Sequence, residues 1–357
     1  KDLLFETAKN TPLKDFMILY GEGDHGGGPR ATDVEAIARF KKDKTHPRLE
    51  FVSPESYFRK IESFKPAFPI VKRELNFAFP ACYTTQAEIK KLNRRSESLL
   101  VAAEKFSAVA VFSGYRDYYP ERDLDEAWKA VLRNQFHDIL DGSSIGPVYE
   151  EAKEFYEAAI ARGQRALDFS LETITNAIDT QGEGRPLIVF NSLAWERTEP
   201  VECEVAFTQR ARGINLTDGS GIAIPFQVIS EEGSGNKWLY RLIFIAENVP
   251  SFGYKTYRLL ETEPKTDQKG SLSVQDTTME NQYLRVSVDP PTGWIKNLLD
   301  KRSGRELMAA AGNVLEAIAD EPPSMSAWEL GLKETLARIG ENGAKVDVVE
   351  KGPVRGV

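Results

Sequence analysis

The sequence is poor in the residues that most often build disulfide frameworks and metal sites. It contains two cysteines, Cys82 and Cys203, and three histidines, His25, His46 and His137. Two cysteines so far apart do not make a disulfide framework, so nothing in the sequence demands an oxidising compartment. The histidines lack the short spacing of a self-contained zinc site. A metal ion bound by His137 would therefore need further ligands from elsewhere in the fold.

Long apolar runs and an excess of basic charge are also absent. No run reaches the roughly 18 apolar residues that a membrane span requires, and residues 1–13 lack the apolar core of a signal peptide. We therefore expect no membrane partner and a cytoplasmic location. The net charge is −8, with both signs spread along the chain. This charge argues against nucleic acid as a partner, because phosphate binding needs a basic surface.

The length of 357 residues predicts two or three domains. The first region, up to about Ser63, has a mixed pattern. Residues 16–20 and 49–52 are short apolar runs typical of strands, and residues 32–41 between them have the spacing of an amphipathic helix. Strand, helix and strand in this order begin a parallel α/β unit, and one such unit is too small to fold alone.

The second region, residues 85–179, has helical periodicity. Thr85 and Glu88 have the spacing of a capping box, which predicts that a first helix begins there. A second helix is predicted over residues 124–140 and ends at Gly142, which suits a left-handed C-cap. Ser143 or Ser144 is expected to cap a third helix. Three helices joined by short loops predict a small bundle.

The third region, from about Pro186 onward, has the pattern of antiparallel β structure. Strand-like runs occupy residues 187–190, 201–205, 238–244 and 283–288, and turn residues separate them. These features predict a β-sandwich. Residues 351–357 resemble the start of another strand.

His137 lies in the segment with the strongest local signal, residues 128–140. If this segment is one continuous helix, its core face is formed by Trp128, Val131, Leu132, Gln135, Phe136 and Ile139. His137 then points about 180° away, beside Ala130, Arg133 and Asn134, and Asp138 lies about 100° further round. Three interpretations stay open for His137: a buried core histidine, an exposed surface histidine, or a ligand in a site shared with another domain.

A glycine-rich loop at residues 21–29 follows the first predicted strand and precedes the first predicted helix. That position is compatible with a phosphate cradle. However, the loop has neither the P-loop spacing nor the dinucleotide-binding spacing, and Asp24 would repel a phosphate. A loop that makes tight backbone turns beside a site is favoured over nucleotide binding, and a purely structural loop is the alternative.

Two of these segments resemble glycoside hydrolase family 38 α-mannosidases. Residues 134–145 (Asn-Gln-Phe-His-Asp-Ile-Leu-Asp-Gly-Ser-Ser-Ile), running into residues 148–152, resemble the family's helix–turn–helix signature, with Asp141 where the family usually has proline. The loop at residues 21–29 is similar to a glycine-rich loop of the family, with His25 in place of a glycine.

Further matches follow in the order of the family. Residues 82–87 with Lys90, Asn93 and Arg94 form a third match. Phe79, Pro80 and Ala81 just before it depart from the His-Arg-Gly that is common in relatives. In the β region, residues 189–195 and 292–295 with Asp300 and Lys301 are also similar to the family.

The resemblance implies a multidomain α+β fold in which the chain is an internal piece of a larger enzyme. Residues 1–63 would be the remnant of a catalytic α/β barrel, residues 64–180 a linker and three-helix bundle, and residues 185–357 the start of an antiparallel β-sandwich. It also implies a retaining, zinc-dependent α-mannosidase that acts on a mannose-containing oligosaccharide.

The resemblance makes His137 one of four zinc ligands and Asp138 a contact to a sugar hydroxyl. The nucleophile, the general acid and the other zinc ligands would precede Lys1. The chain alone is therefore expected to be inactive, with the rest of the parent polypeptide as its partner, and a homo-oligomer stays open. The alternative function is a non-catalytic carbohydrate-binding or assembly module on a family-38-like scaffold. An upstream His-x-Asp pair with a nucleophilic Asp would favour the enzyme.

Overall fold

The computed structural model describes residues 15–21, 27–42, 44, 48–62, 70–74, 79–262 and 272–356. The chain forms two compact units, Lys1–Asn76 and Phe77–Val357. The described part of the first unit is helical and irregular, whereas the second unit contains helices followed by antiparallel sheets.

The described part of the first unit contains two helices, α1 (Ala31–Phe40) and α2 (Pro54–Ile61). Helix α1 confirms the helix predicted at residues 32–41. Helix α2 was not predicted. It begins after Ser53, whose hydroxyl accepts a hydrogen bond from the Ser56 amide at 3.2 Å. This bond satisfies one of the amides that a helix leaves free in its first turn.

The two strands predicted in this unit are wrong. Residues 16–20 and 49–52 are irregular, although the rings of Tyr20 and Phe51 approach to 5.9 Å. Ile18 and Leu19 are 58% and 79% exposed. An apolar run becomes a strand only when a neighbouring strand pairs with its backbone, and the described residues of this unit supply no such partner. In the glycine-rich loop, Asp24 and His25 lie outside the described residues, as does His46.

The second unit begins with helices. A 3-10 helix (Pro80–Tyr83) comes first. The α-helices that follow are α3 (Ala87–Phe112), α4 (Glu121–Asn134), α5 (His137–Leu140) and α6 (Gly146–Asn176). Helices α3, α4 and α6 share one buried cluster, which includes Leu100, Val131 and Tyr156. None of the described helices is both long enough and apolar enough to cross a membrane.

The predicted N-terminal helix caps are wrong, whereas the predicted left-handed residue Gly142 follows the end of α5 with a positive φ of 92°. Helix α3 begins after Gln86, which has a positive φ of 54° and makes no side-chain cap bond. The Thr85 hydroxyl instead donates to the Ala81 carbonyl at 2.8 Å, and Glu88 pairs with Lys153 at 2.6 Å. Helix α6 begins after Ile145, again without a side-chain cap. The Thr85 hydroxyl thus bonds four residues back along the chain and the Glu88 carboxylate bonds to α6, so neither group caps α3.

Two antiparallel sheets that share one core follow α6, and we call them the first β layer pair. The strands are β1 (Arg185–Phe190), β2 (Arg197–Phe207), β3 (Ile214–Asp218), β4 (Ala223–Ile224), β5 (Phe226–Ser234), β6 (Lys237–Val249) and β7 (Tyr254–Glu261). They form a four-stranded sheet in the order β1-β7-β3-β4 and a three-stranded sheet in the order β2-β6-β5. One core cluster takes side chains from both sheets, such as Leu216 and Tyr257 from one and Leu242 and Phe244 from the other. The predicted strands at residues 187–190, 201–205 and 238–244 are confirmed.

Two further antiparallel sheets follow in the rest of the described chain. The strands are β8 (Ser273–Gln275), β9 (Thr278–Glu280), β10 (Leu284–Val288), β11 (Ile295–Asp300), β12 (Arg305–Glu306), β13 (Glu316–Asp320) and β14 (Leu332–Arg338). Strands β12-β11-β10-β9-β8 form one sheet, and β13 pairs with β14. The strand predicted at residues 283–288 is confirmed as β10.

The strand expected to begin at residue 351 is wrong within the described residues. Lys351 and Gly356 make a single bridge, so the segment folds back on itself. Arg355 bonds to Glu350 at 2.7 Å and to Glu202 of β2 at 2.6 Å. These charged contacts hold the segment as a loop against the first β layer pair.

Candidate functional site

The segment that carries His137 and Asp138 is a separate one-turn helix, α5. Helix α4 ends at Asn134, and Phe136, with φ −53° and ψ 138°, breaks the helical path before α5 begins. The prediction of one helix over residues 124–140 is therefore wrong. The angles drawn from a continuous helix do not apply to His137 and Asp138.

The buried face of α4 also differs from the predicted one. Its buried residues are Leu124, Ala127, Val131 and Asn134. Of the predicted core residues, Val131 is buried, and Trp128 and Ile139 pack against the same cluster. Leu132 and Phe136 are instead 59% and 53% exposed. The small Ala127 and the hydrogen-bonding Asn134 lie on the face of α4 that packs against the other helices. Asn134 Nδ2 donates to the Ala152 carbonyl of α6 at 2.8 Å.

Polar side chains of the neighbouring helices anchor the break between α4 and α5. Gln135 Nε2 donates to Asn93 Oδ1 at 3.0 Å and to Glu97 Oε1 at 2.9 Å, both on α3. The Tyr156 hydroxyl of α6 donates to the same Asn93 oxygen at 3.3 Å. Burial raises the pKa of Tyr156 to about 12, so this phenol remains a donor at neutral pH. These bonds compensate polar atoms that would be costly to bury unpaired.

His137 lies at the start of α5 with its imidazole in solvent. Its side chain is 75% exposed, and its Nε2 is 3.6 Å from Asp138 Oδ2. The Phe136 ring lies beside the imidazole, with ring centroids 4.3 Å apart. The interpretation as a buried core histidine is excluded. An exposed histidine and a ligand for a shared site both remain compatible with this position.

The turn after α5 orients Asp138. The Ser143 hydroxyl lies 3.0 Å from Asp138 Oδ1 and 2.8 Å from Asp141 Oδ1. The Ser143 amide also donates to Asp141 Oδ1 at 3.3 Å. Asp141 thus closes the turn with its own side chain, as aspartate commonly does, at the position where the similar family signature usually has proline.

Tyr149 of α6 fixes the same turn from the other side. Its hydroxyl accepts a bond from the Ser144 amide at 2.8 Å and donates to the Asp138 carbonyl at 3.3 Å. Burial raises the pKa of Tyr149, which keeps the phenol protonated for both bonds. Gln135, just before α5, is therefore tied to α3, and Ser144, just after α5, is tied to α6.

Lys90 of α3 joins α5 to the segment before α3. Its ammonium donates to the Leu140 carbonyl at 2.9 Å and to the Thr85 carbonyl at 2.5 Å. Burial lowers the pKa of Lys90, and the nearby Asp141 partly opposes that effect. Burial and the charge of Asp141 raise the pKa of the Cys82 thiol. A raised thiol pKa disfavours a reactive thiolate at Cys82.

A loop from the β region holds the segment at residues 79–86. This loop connects β13 to β14. The Trp328 carbonyl accepts a bond from the Ala81 amide at 3.0 Å, and the Ala327 carbonyl accepts one from the Thr85 hydroxyl at 3.2 Å. Phe79 and Met325 both have a positive φ, 55° and 54°. The sequence did not predict this contact, because nothing local marks Ala327 or Trp328. In the sequence, Lys90 is singled out only as part of the third match to the family.

A complete metal site is missing from the described residues. They contain no group of three or more His, Cys, Asp or Glu side chains placed to hold a metal ion. The exposed imidazole of His137 can serve as one ligand, whereas zinc sites in proteins use three or four protein ligands. The described part of the chain therefore contains no complete metal site.

Gly142 permits the tight contact between the turn and residue 85. It has a positive φ of 92°, and a Cβ added there would lie 2.5 Å from the Thr85 carbonyl oxygen. Gly142→Ala is therefore expected to destabilise the chain by about 1–3 kcal/mol. Urea denaturation measures the loss. Gly114→Ala is the matched control, because φ there is 71° and a Cβ meets nothing within 4 Å. Equal losses for the two variants would contradict the packing argument.

Comparison with known proteins gives matches to two family models. Residues 78–174 match the α-mannosidase middle domain, and residues 279–357 match the C-terminal domain of glycosyl hydrolases family 38. The chain is 30% identical over 323 residues to Alpha-mannosidase 2C1 of Homo sapiens, which covers 88% of this chain and 27% of that protein. It is 25% identical over 388 residues to Alpha-mannosidase G of Dictyostelium discoideum, which covers 99% of this chain and 34% of that protein. The chain spans about a third or less of the length of these relatives.

Two solved structures have a similar fold. A family 38 glycosyl hydrolase from Enterococcus faecalis superposes with a TM-score of 0.67 and 20% identity, covering 99% of this chain and 44% of that one. An alpha-mannosidase from Enterococcus faecalis V583 superposes with a TM-score of 0.65, also at 20% identity, covering 92% of this chain and 41% of that one. At this identity the likeness concerns the fold alone.

Proposed function

Because the chain belongs to glycoside hydrolase family 38, we propose that it is part of a retaining, zinc-dependent α-mannosidase. This enzyme hydrolyses terminal α-mannosyl linkages in a mannose-containing oligosaccharide. The observation that carries the proposal is the placement of His137, whose exposed imidazole lies on a one-turn helix anchored at both ends.

In this proposal His137 is a zinc ligand supplied to a site whose other ligands precede Lys1. Two features support that role. The imidazole is exposed and so accessible to a metal ion, and the hydrogen bonds around α5 limit the directions in which it can point. Preorganised ligands bind more tightly, because less conformational freedom is lost on binding.

Asp138 is the proposed contact to a sugar hydroxyl. Its side chain is 46% exposed, so a substrate can reach it. Ser143 holds one carboxylate oxygen, and the other lies toward His137. A carboxylate held in this way accepts a hydrogen bond from a hydroxyl without first reorganising.

The chemistry itself needs groups that we propose lie before Lys1. A retaining glycosidase uses two carboxylates about 5 Å apart, one as nucleophile and one as acid and base. Bound zinc would hold neighbouring mannose hydroxyls and favour a distorted sugar ring. The residues of this chain bind and orient: His137 holds the metal, and Asp138 fixes a hydroxyl. The rest of the parent polypeptide is the partner that completes the site.

The domain assignment is part of the same proposal. Residues 1–63 are the C-terminal part of the catalytic α/β domain, and residues 64–180 contain the linker and the three-helix bundle. Residues 185–357 are the N-terminal part of the β-sandwich domain. The matches at residues 78–174 and 279–357 support the last two assignments.

The proposal predicts that the 357-residue chain alone does not hydrolyse an aryl α-mannoside. Without the nucleophile and the acid, neither step of the covalent route is available. The test compares this chain with a polypeptide extended on its N-terminal side by its natural coding sequence, and only the extended protein should turn over. Turnover by the short chain at rates typical of enzymes would contradict the proposal. An inactive extended protein that still binds mannosides would favour a non-catalytic carbohydrate-binding module.

A further inference from the structure

Lys90 lies where the segment at residues 79–86, the one-turn helix α5 and helix α3 meet. We infer that Lys90 is a positioning residue that fixes the orientation of α5, and with it the directions of His137 and Asp138. The functional meaning of this inference rests on the proposed function. The geometric part does not, because it concerns only contacts within this chain.

Helix α5 is weak as a helix. It has four residues, from His137 to Leu140, and a single turn is unstable in isolation because helix nucleation is unfavourable. Its orientation must therefore come from outside contacts. The Lys90 ammonium supplies one at the C-terminal end, where it donates to the Leu140 carbonyl at 2.9 Å. A cation is also favoured there by the carbonyls that a helix leaves free in its last turn.

Lys90 also joins α5 to the segment at residues 79–86. The same ammonium donates to the Thr85 carbonyl at 2.5 Å. Thr85 is held by the β13–β14 loop through the Ala327 carbonyl at 3.2 Å. A path of contacts therefore runs from the β region through Thr85 and Lys90 to the end of α5.

The residues along this path of contacts are closely packed. The Thr85 carbonyl lies so close to Gly142 that a Cβ there would be 2.5 Å away. Lys90 is partly buried, and burial lowers its pKa. Carbonyl oxygens stabilise the desolvated ammonium of Lys90. Replacing Lys90 would therefore leave the Leu140 and Thr85 carbonyls without this donor. We expect α5 to tilt or fray when Lys90 is replaced.

The experiment uses histidine as a reporter. The chain has only three histidines, so selective carbon-13 labelling of histidine gives three ring signals by NMR. His137→Gln assigns the signal of His137. The Phe136 ring, 4.3 Å from the imidazole, makes this signal sensitive to the geometry of α5 through the ring current.

Lys90→Met removes the ammonium and keeps the length of the side chain. Lys91→Met is the matched control, because it removes the same charge from the next residue, which is exposed. Lys90→Met should shift or broaden the His137 signal while leaving those of His25 and His46 in place. Lys91→Met should leave all three signals unchanged. Lys90→Arg should restore part of the wild-type shift, because the guanidinium keeps the charge but presents its donors in a different geometry.

An unchanged His137 signal in folded Lys90→Met overturns the inference. If Lys90→Met does not fold, Lys90→Gln decides in the same way, because its shorter amide cannot replace the ammonium at both carbonyls. A second measurement separates this inference from the proposed function. In the N-terminally extended enzyme, Lys90→Met should lower kcat/KM by about 10–100-fold, the range typical of residues that orient a metal ligand. A shifted His137 signal with full activity would support the positioning role and contradict the proposed role of His137.

Discussion

Replacing His137 by alanine in the N-terminally extended enzyme is expected to remove most of the bound zinc and most of the activity. The loss in kcat/KM should exceed the roughly 10–100-fold that follows from losing a residue that only orients a ligand. Folding should be little affected, because the side chain is 75% exposed and exposed substitutions usually change stability by no more than about 0.5 kcal/mol. Metal analysis and steady-state kinetics on the same preparation measure both effects.

Asp138→Ala in the same enzyme is the control for His137→Ala. Its proposed partner is a sugar hydroxyl, so more zinc should stay bound while turnover still falls. This pattern separates loss of the metal from loss of a substrate contact. Wild-type zinc content with wild-type turnover in the His137→Ala enzyme would show that His137 is an ordinary surface histidine.

Leu242→Ala is expected to cause a large loss of stability in the first β layer pair. Leu242 is completely buried in β6, in the cluster that joins the two sheets. Truncating such a leucine costs about 2–5 kcal/mol, because it removes buried apolar contact and leaves a cavity. Urea denaturation of the 357-residue chain, followed by circular dichroism, measures the loss.

Leu239→Ala is the matched control for this prediction. Leu239 lies three residues earlier on the same strand and is 38% exposed. Its truncation should cost much less, because solvent already reaches the side chain and little cavity forms. Equal destabilisation by the two variants would mean that the two sheets do not share the core described above.

Regular elements with a strong apolar period could be predicted from the sequence. Strand β6 contains the predicted run at residues 238–244, and Tyr240, Leu242 and Phe244 are buried at every second position, with Ile243 buried as well. Helix α3 buries Ile89 and Leu100 on one face. Such periods are local, since each element must present one apolar face whatever its partner is.

The starts of helices could not be predicted, because contacts outside the capping pattern decide them. The Thr85 hydroxyl lies 2.8 Å from the Ala81 carbonyl and 3.2 Å from the Ala327 carbonyl, which is 242 residues away in the chain, instead of capping α3. The break after Asn134 is anchored by Gln135 and two residues of α3. Residues 16–20 have the composition of a strand but no described sheet partner. At Thr85 and Gln135 the local pattern was compatible with two conformations, and hydrogen bonds outside that pattern selected one.

The sequence by itself determined the family and the order of the helical and β regions, because its motifs and apolar periods are properties of short segments. It also singled out His137 and Asp138 as candidates. Only the tertiary structure decided their environment. Phe136 breaks the helix on which their predicted directions depended, and Ser143, Tyr149 and Lys90 then hold the new turn. A one-turn helix has too few internal bonds to orient itself, so its direction follows from the residues that surround it.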